Sequence, residues 1–204
     1  MARPRTNIEP RIIAAARTAF ARYGVEGASL RQIARGAKTS IGMVYYYFPT
    51  KDDLFLAVVE EVYSTMLADL EATLTPVAPL EQKLLALYRR IGMASDLELL
   101  TLRLVVQEML GSAERRARLV ERFQRGHLSL VLKALMQGVG VGTVRRDLNP
   151  AVLLLSTLAV GAAPQFALRA MGGMGPAALA PKGDELSSQL LSVLFHGIAQ
   201  GKPA

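Results

Sequence analysis

The fold is decided by the stretch SLRQIARGAKTSIGMVYYYFPTKDDL, which occupies residues 29–54. It opens with Ser29, and Gln32 follows three residues later. This spacing is typical of a capping box, in which the serine and glutamine side chains bond the free backbone N–H groups at the start of a helix. We therefore predict a short helix over residues 30–36.

A second short helix follows after a few residues. Thr39 or Ser40 can cap it, and it extends over about residues 41–47. Pro49 ends it, because a proline disfavours helical geometry in the residue before it. A threonine then caps a longer helix over about residues 51–74, with acids in its first turn where they suit the helix dipole.

One more helix is predicted ahead of this stretch, where Asn7 caps it and Gly24 ends it. Its apolar residues recur at helical spacing and form one face: Ile12, Ala16, Ala19, Phe20 and Tyr23. Three short helices, with a turn of about four residues between the last two, form a helix-turn-helix pattern. In that geometry the last helix enters the major groove of DNA and its partner crosses the backbone.

The rest of the chain also has helical periodicity, without the alternation typical of strands. We expect turns or loops at the glycine-rich segments 138–142 and 172–183. Further helices are predicted over residues 80–95, 97–110, 114–137, 149–171 and 184–199. The sequence therefore predicts an all-α fold with a DNA-binding head over residues 1–50 (about 8–60 with the start of the connecting helix) and a helical domain over residues 51–204.

The net charge of +7 is concentrated at one end of the chain. Residues 1–51 carry nine Lys or Arg and two acids, whereas the remaining residues carry fifteen of each sign. Such asymmetry suits a nucleic-acid-binding head on a neutral body. The alternative is a solvated basic face that only aids solubility.

The composition is typical of a folded cytosolic protein. Hydrophobic residues make up 51% of the 204, which allows a sizeable core and excludes global disorder. No cysteine is present, so disulfides and thiolate metal sites are excluded. We expect neither a signal peptide nor a membrane span, because no apolar run follows the N-terminus and the apolar stretch 151–163 is too short. We therefore expect the protein to be located in the cytoplasm.

The second helix of the predicted pair carries no charged side chain and contains three consecutive tyrosines, Tyr45, Tyr46 and Tyr47. They cannot all face a core, because each helical step rotates by about 100°. Exposed tyrosines beside Arg and Lys suit contacts with DNA phosphates. The alternative is an aromatic edge of the core. Gly42 would allow a backbone to approach closely.

These residues resemble the DNA-binding domain of the tetracycline-repressor (TetR) family. The matching features are the run LRQIA at 30–34, a serine followed two residues later by glycine at 40–42, the run VYYYF at 44–48, and Lys51 before an acidic-aliphatic segment. The resemblance covers about residues 8–60. It implies a dimeric regulator of transcription with a ligand-binding helical body.

The resemblance also implies a role for single positions. Arg31 would reach a base edge, for which guanine is the usual partner. Ile41 and Met43 would face the groove floor, where apolar side chains favour thymine methyl groups. Phosphate contacts would come from Ser40, Tyr45, Tyr46 and Lys51. The full predicted DNA-binding set is Ser29, Arg31, Lys38, Thr39, Ser40, Ile41, Gly42, Met43, Tyr45, Tyr46, Tyr47 and Lys51.

Two positions depart from the family pattern. Lys38 stands where the turn usually has glycine, and Thr39 stands where it usually has an aliphatic residue. Because residues other than glycine uncommonly adopt a positive φ, we expect a rearranged turn. Lys38 could instead add a phosphate contact. The Arg3-Pro4-Arg5 arm could enter the minor groove, or it could be a disordered tail.

The predicted body has no pattern of a catalytic or metal site. His127 and His196 are far apart and lack other ligands at metal-binding spacing. The glycines at 138–142 lack the Lys-Ser/Thr of a phosphate-binding loop, and no serine elbow motif occurs. We predict no metal, no cofactor and no enzymatic activity.

The predicted helices at 149–171 and 184–199 are apolar on several faces, so they should be buried on more than one side. The resemblance implies that they pair with a second copy in a four-helix bundle, and the alternative is a monomer core. The predicted interface residues are Leu154, Leu158, Gly161, Ala162, Gln165, Leu190, Leu191, Leu194, Phe195 and Ile198.

The resemblance further implies an effector pocket in the body, coupled to the head through the helix over about residues 51–74. Such pockets have apolar walls with few polar groups. The predicted lining is Tyr63, Met66, Leu70, Tyr88, Met93, Leu100, Arg103, Leu104, Gln107, Phe123, His127 and Phe166. Each of these side chains could alternatively fill the core.

The sequence thus predicts a homodimeric regulator that recognises a near-palindromic DNA operator. Two recognition helices about 34 Å apart would read the two half-sites. We expect a repressor that a small apolar ligand releases, because a ligand that prefers another spacing of the heads lowers DNA affinity. The alternatives are an activator of the same fold and a non-specific DNA-organising protein.

Overall fold

The structure is a computed structural model that describes residues 8–196, with the backbone alone at Pro176. In this range it contains α-helices, one short 3-10 helix (Gly175–Ala178) and no strand, which confirms the all-α prediction. The helices are α1 (Ile8–Gly27), α2 (Leu30–Gly36), α3 (Ile41–Tyr47), α4 (Lys51–Leu74), α5 (Leu80–Gly92), α6 (Asp96–Gly111), α7 (Ala113–Gln124), α8 (His127–Gly140), α9 (Pro150–Ala170) and α10 (Gly183–His196). Asn7, the Arg3-Pro4-Arg5 arm and Ile198 lie outside the described residues.

The described residues form two compact units. The first contains the residues up to Met66 together with Ser95–Arg122, and the second contains Leu67–Ala94 together with the residues from Phe123 onward. The first unit therefore includes α6 and most of α7 besides the three head helices. The division into functional domains at residue 50 remains a prediction, and it is not the boundary of a compact unit.

Local capping sets the starts of the two short helices. The Ser29 backbone N–H donates to Gln32 Oε1 at 3.3 Å, as expected for the capping box. Ser40 Oγ accepts from the Met43 N–H at 3.2 Å. Each bond satisfies a donor that the first turn of a helix leaves without a partner. As a result α2 and α3 begin and end at the predicted residues.

The core of the first unit forms where α1 and α4 meet. Phe20 and Phe55 are fully buried and pack edge to face, with 6.3 Å between ring centroids. The helical backbone of α1 is interrupted at Gly24, where φ is 71° and ψ is 169°. Glycine adopts this left-handed φ without a steric penalty, so the predicted end of the regular helix is confirmed. The last residues of α1 continue beyond this kink.

The helix predicted over residues 114–137 is two helices, α7 and α8. The break lies at Gly126, whose backbone is not helical (φ −115°, ψ −121°). Its carbonyl oxygen accepts from Ser129 Oγ at 2.8 Å at the start of α8. The helical periodicity continues on both sides of the break, so it gave no sign of an interruption.

The turn predicted over residues 138–142 begins later than expected. Gly138 and Gly140 belong to α8, and only Gly142 has a positive φ, 81°. A Cβ at Gly138 would lie 2.6 Å from Leu80 Cδ2, so this glycine allows α8 to pack closely against α5. Its role is close packing, which sequence periodicity cannot distinguish from a turn.

Two of the predicted interface residues lie inside the second unit instead. Gly161 is buried, and a Cβ there would be 2.2 Å from Cε1 of Tyr88. Gln165 is buried, and its Nε2 donates to the Tyr88 carbonyl at 2.9 Å and to the Gly161 carbonyl at 2.6 Å. The assignment of Gly161 and Gln165 to a subunit interface is therefore wrong. Tyr88 of α5 occupies the space beside Gly161, and the Gln165 side chain is hydrogen-bonded inside the unit.

Helix α9 is long and apolar enough to cross a membrane by length and composition alone. The apolar stretch 151–163 was predicted to be too short for a membrane span, but it is part of a longer helix, α9, which has 21 residues. The core helix of a soluble protein can have the same length and composition. Within the second unit α9 packs against α5, α8 and α10, and its opposite face carries the exposed residues Val152 and Leu155.

Candidate nucleic-acid interface

Helix α3, which is predicted to be the recognition helix, exposes its three tyrosines to different extents. Tyr46 is 77% exposed, Tyr45 is also exposed and Tyr47 is half-buried. The Tyr46 and Tyr47 rings stack edge to face at 5.3 Å between centroids. Val44 is fully buried and anchors the helix to the unit. The tyrosine hydroxyls are thus placed on the surface, where they can donate to phosphate oxygens.

Five of the predicted DNA-binding residues border one open surface depression. They come from the starts of α2, α3 and α4, because the two short helices and the connecting helix converge there. The five are Ser29, Arg31, Ile41, Tyr45 and Lys51. Ala28 and Leu30 complete the rim. This arrangement brings Arg31, which is predicted to read a base edge, together with Tyr45 and Lys51, which are predicted to bind phosphates.

The remaining predicted DNA-binding residues in the turn and in α3 differ in their exposure to solvent. Gly42 and Ser40 are exposed, while Met43 and Thr39 are half-buried. Ser40 Oγ is occupied as an acceptor by the Met43 N–H, and its own hydroxyl proton can still be donated to a phosphate. Met43 exposes only part of its side chain to solvent.

The turn between α2 and α3 keeps a left-handed conformation despite its lysine. Lys38 has a φ of 50°, the only positive φ of a non-glycine residue in the described range. The Lys38 N–H donates to the Arg35 carbonyl at 3.0 Å and the Thr39 N–H donates to the Ala34 carbonyl at 3.0 Å. This pair of bonds is a Schellman motif, which usually has glycine at the position of Lys38. The expectation of a rearranged turn is wrong.

Arg11 stabilises this turn from α1. Its Nη2 donates to the Lys38 carbonyl at 2.9 Å and also to the Ala37 carbonyl. These carbonyls are acceptors at the end of α2 that the helix itself does not satisfy. Arg11 was not predicted to have this role, because no local sequence signal relates it to a turn 26 residues away.

Replacing Lys38 with glycine should raise the free energy of unfolding by about 1 kcal/mol, since the left-handed φ is strained for any residue with a Cβ. The same change should weaken DNA binding. It should also reduce the slope of the logarithm of the binding constant against the logarithm of the salt concentration by about 1, as expected for the loss of one phosphate contact. Urea denaturation and fluorescence anisotropy with a duplex would measure the two effects. Lys38→Met is the matched control, because it removes the charge and keeps the strain, so only DNA binding should fall. Equal stability of the glycine and methionine variants would contradict the assignment.

Lys51 is held at the base of the depression by Glu26. Lys51 Nζ donates to the Glu26 carbonyl oxygen at 2.9 Å and lies 3.7 Å from Glu26 Oε2. Glu26 in turn accepts from Arg115 of α7. Arg115 was not predicted to contribute to this site, since Asp52 and Glu26, its two partners near Lys51, lie 63 and 89 residues away in the chain. A cation proposed for phosphate binding is therefore surrounded by charged side chains of its own unit.

The predicted effector-pocket residues are divided equally between the two compact units. The first unit holds Tyr63, Met66, Leu100, Arg103, Leu104 and Gln107. The second unit holds Leu70, Tyr88, Met93, Phe123, His127 and Phe166. Tyr88 is fully buried and its hydroxyl donates to the Thr157 carbonyl at 2.8 Å, whereas Met93 is largely exposed. The pocket as a whole remains a prediction.

A separate small cleft lies within the second unit. Its walls are mainly leucines of α5, α8 and α9, with Leu194 and Phe195 of α10 at one side and Arg145 among its polar residues. Its volume is about 130 Å³, and drug-sized ligands usually occupy pockets of about 300–1,000 Å³. None of the predicted pocket residues lines it.

Five residues of the predicted interface are half-buried within the second unit: Leu154, Leu158, Ala162, Leu190 and Leu191.

The N-terminal helices match a known family of sequences. Residues 12–58 match the family described as "Bacterial regulatory proteins, tetR family". The HTH-type transcriptional regulator RutR of Escherichia coli (strain K12) is 39% identical over 69 residues, which are 34% of this chain and 32% of RutR. The HTH-type transcriptional repressor NicS of Pseudomonas putida is 39% identical over 54 residues, 26% of each chain. The match thus spans about a third or less of the length of these curated relatives.

Solved structures share the fold over nearly the whole chain. FadR from Bacillus subtilis, in complex with stearoyl-CoA, has a TM-score of 0.72 at 20% identity and covers 93% of this chain and 99% of its own. Salmonella enterica GusR has a TM-score of 0.69 at 16% identity and covers 96% and 97%. At these identities the likeness establishes the fold alone. The sequence match with the tetR family of bacterial regulatory proteins covers residues 12–58, from α1 into α4.

Proposed function

We propose that the protein is a sequence-specific DNA-binding regulator of transcription, and that it is a repressor which a small apolar ligand releases from its operator. The observation that carries the proposal is the surface depression that joins Arg31, Tyr45 and Lys51 at the convergence of α2, α3 and α4. Arg31 is placed to read a base edge, and the other two are placed to bind the flanking phosphates. The name of NicS as a repressor supports the direction of regulation.

The proposal includes a homodimer on a near-palindromic operator. The apolar side chains Val152 and Leu155 are exposed on α9, on the side opposite to its packing against α5. Large exposed apolar patches usually mark interaction sites, and these two side chains are candidates for one. A second copy that covers this face would bring two recognition helices to two half-sites. The cytoplasm is the compartment in which such a regulator acts.

The ligand part of the proposal rests on the fold and on the apolar interior. FadR of Bacillus subtilis, which shares this fold, is described in complex with stearoyl-CoA. Stearoyl-CoA should therefore be titrated against the protein–DNA complex, with coenzyme A alone as the control. Release of DNA by the acyl thioester only would support an apolar effector. DNA binding that persists with both compounds would contradict release by this ligand class.

Selection of bound duplexes from a random DNA pool tests the DNA-binding part directly. We expect enrichment of a near-palindrome from the selection. Equal recovery of unrelated sequences, with binding that depends only on salt, would instead indicate a non-specific DNA-organising protein. A reporter gene behind the selected site would separate repression from activation.

Arg31→Ala should weaken binding to the selected duplex by about 1–3 kcal/mol and relax the preference at one base pair of each half-site. Tyr46→Ala should weaken binding to all sequences to a similar degree, because a phosphate contact carries no base information. Fluorescence anisotropy with matched and mismatched duplexes measures both effects. Arg116→Ala is the control, since Arg116 is an exposed cation on α7 that donates to the Met109 carbonyl. Unchanged binding by both head variants would refute the assignment of the head.

A further inference from the structure

Arg115 of α7 is a buried cation that joins three carboxylates. Its guanidinium side chain is 7% exposed. Nε donates to Glu108 at 2.6 Å, Nη1 donates to Asp52 at 2.7 Å, and Nη2 donates to Glu26. All five donors of an arginine lie in one plane, which allows one side chain to bind several carboxylates at once. Arg115 thus connects α6 and α7 to the start of α4 and the end of α1.

A second arginine of α7 continues this pattern. Arg118 Nη2 donates to Asp53 Oδ1 at 2.8 Å. Asp52 and Asp53 directly follow Lys51, and Glu26 contacts Lys51. The proposed phosphate-binding lysine therefore has three carboxylates as neighbours. Arg115 and Arg118 of α7 donate hydrogen bonds to all three carboxylates, and Arg115 also donates to Glu108.

The three carboxylates would oppose DNA binding if they were not balanced. Charges at a protein surface interact over about 8 Å at physiological ionic strength, and a DNA phosphate on Lys51 would lie within that range of its neighbours. The Arg115 hydrogen bond and charge lower the pKa of the Glu26 carboxyl. The Arg118 hydrogen bond, followed by that of Thr50, lowers the pKa of Asp53. Both carboxylates are therefore ionised at neutral pH, where the protein must bind DNA.

We propose that Arg115 and Arg118 are positioning residues for DNA binding, which neutralise Glu26, Asp52 and Asp53 so that Lys51 can hold a phosphate. A displacement of α7 from the start of α4 then exposes uncompensated carboxylates beside the DNA backbone. DNA affinity depends in this way on where α7 lies, in addition to the spacing of the two heads. This inference rests on the proposed DNA-binding function, and it assigns a role to residues outside the helix-turn-helix.

A purely structural role of Arg115 can be separated from this electrostatic role by its partners. Glu108 is a buried carboxylate of α6, while the Glu26 side chain is 76% exposed and lies beside Lys51. Loss of Arg115 leaves Glu108 unpaired in a buried place, which destabilises the fold. Loss of Arg115 leaves the exposed Glu26 carboxylate with Lys51 as its remaining ion-pair partner, which changes the stability little and places a negative charge where it repels phosphate. Stability and DNA affinity should therefore be restored by different second substitutions.

The experiment uses the full chain and a duplex selected from a random pool by the wild-type protein. Arg115→Met should lower DNA affinity about tenfold at low salt, with a smaller loss at high salt because the repulsion is screened. Adding Glu26→Gln should restore most of the affinity without restoring the midpoint of urea unfolding. Adding Glu108→Gln instead should restore the midpoint without restoring the affinity. Restoration of affinity by Glu108→Gln but not by Glu26→Gln would overturn the proposal.

Arg118→Met provides the same test at a site where folding is not at stake. The Arg118 side chain is partly exposed, so the variant should fold normally. It should lose DNA affinity, and the second substitution Asp53→Asn should recover it. Arg116→Met, on the same helix, is the matched control and should bind as the wild type does. If Arg118→Met binds as tightly as Arg116→Met, the proposal is overturned. Failure of the proposed function would differ, because the wild-type protein itself would then show no preference for any duplex.

Discussion

Replacing Gly161 with valine is expected to lower the free energy of unfolding by about 3 kcal/mol. A Cβ at this position would lie 2.2 Å from Cε1 and 2.4 Å from Cδ1 of the Tyr88 ring. The ring cannot move aside easily, because Tyr88 is fully buried and its hydroxyl donates to the Thr157 carbonyl. Burial also raises the pKa of the Tyr88 hydroxyl, so it stays a donor at neutral pH. Urea unfolding followed by circular dichroism measures the change.

Ala68→Val on α4, in the same unit, is the control for the Gly161 prediction. Ala68 is exposed, so valine there should change the stability only by the small difference in helix propensity, about 0.5 kcal/mol. All variants should be compared at one protein concentration, because association shifts apparent stability. If valine at position 161 unfolds at the same urea concentration as the wild type, the close packing of α9 on α5 is wrong.

The sequence predicted helices wherever the deciding signal was local. The boundaries of α2, α3 and α4 were correct because each start depends on a cap within three residues, as at Ser29, Ser40 and Thr50. The break at Gly126 was missed because the periodicity of the two helices matches across it. Gly138 was taken for a turn because its packing partner, Leu80, belongs to another helix.

The candidate site, like the helices, could be predicted only where its residues lie close together in the sequence. Arg31, Tyr45 and Lys51 could be grouped because the helix-turn-helix brings nearby segments together. Arg11 and Arg115 could not, because their carbonyl and carboxylate partners are far away in the chain. The composition of α9 suggested an apolar interface but not which face of the helix was free. The Tyr88 ring against Gly161 and the hydrogen bonds of the buried Gln165 distinguish the inner face from the outer one.

Leu155→Arg should convert the proposed dimer into a monomer. Leu155 is 63% exposed and lies one helical turn from the exposed Val152, on the face of α9 opposite to Gly161. A second copy on this face would bury both side chains, and arginine would then place an unpaired charge from each copy in the interface. Leaving a buried charge without a partner costs about 3–5 kcal/mol, which corresponds to a loss of at least about a hundredfold in dimer affinity. Sedimentation equilibrium measures the change in mass.

The Leu155 variant should also lose most of its affinity for the selected near-palindrome, because a monomer engages one half-site and loses the gain in effective concentration from linked heads. A half-site duplex should bind wild type and variant equally, since the head is unchanged. Leu110→Arg is the control, because Leu110 is an exposed leucine on α6 in the other unit and should leave both mass and DNA affinity unaltered. A dimer that survives Leu155→Arg would place the subunit interface elsewhere. A wild-type protein that sediments with membranes would instead make the apolar face of α9 a lipid contact.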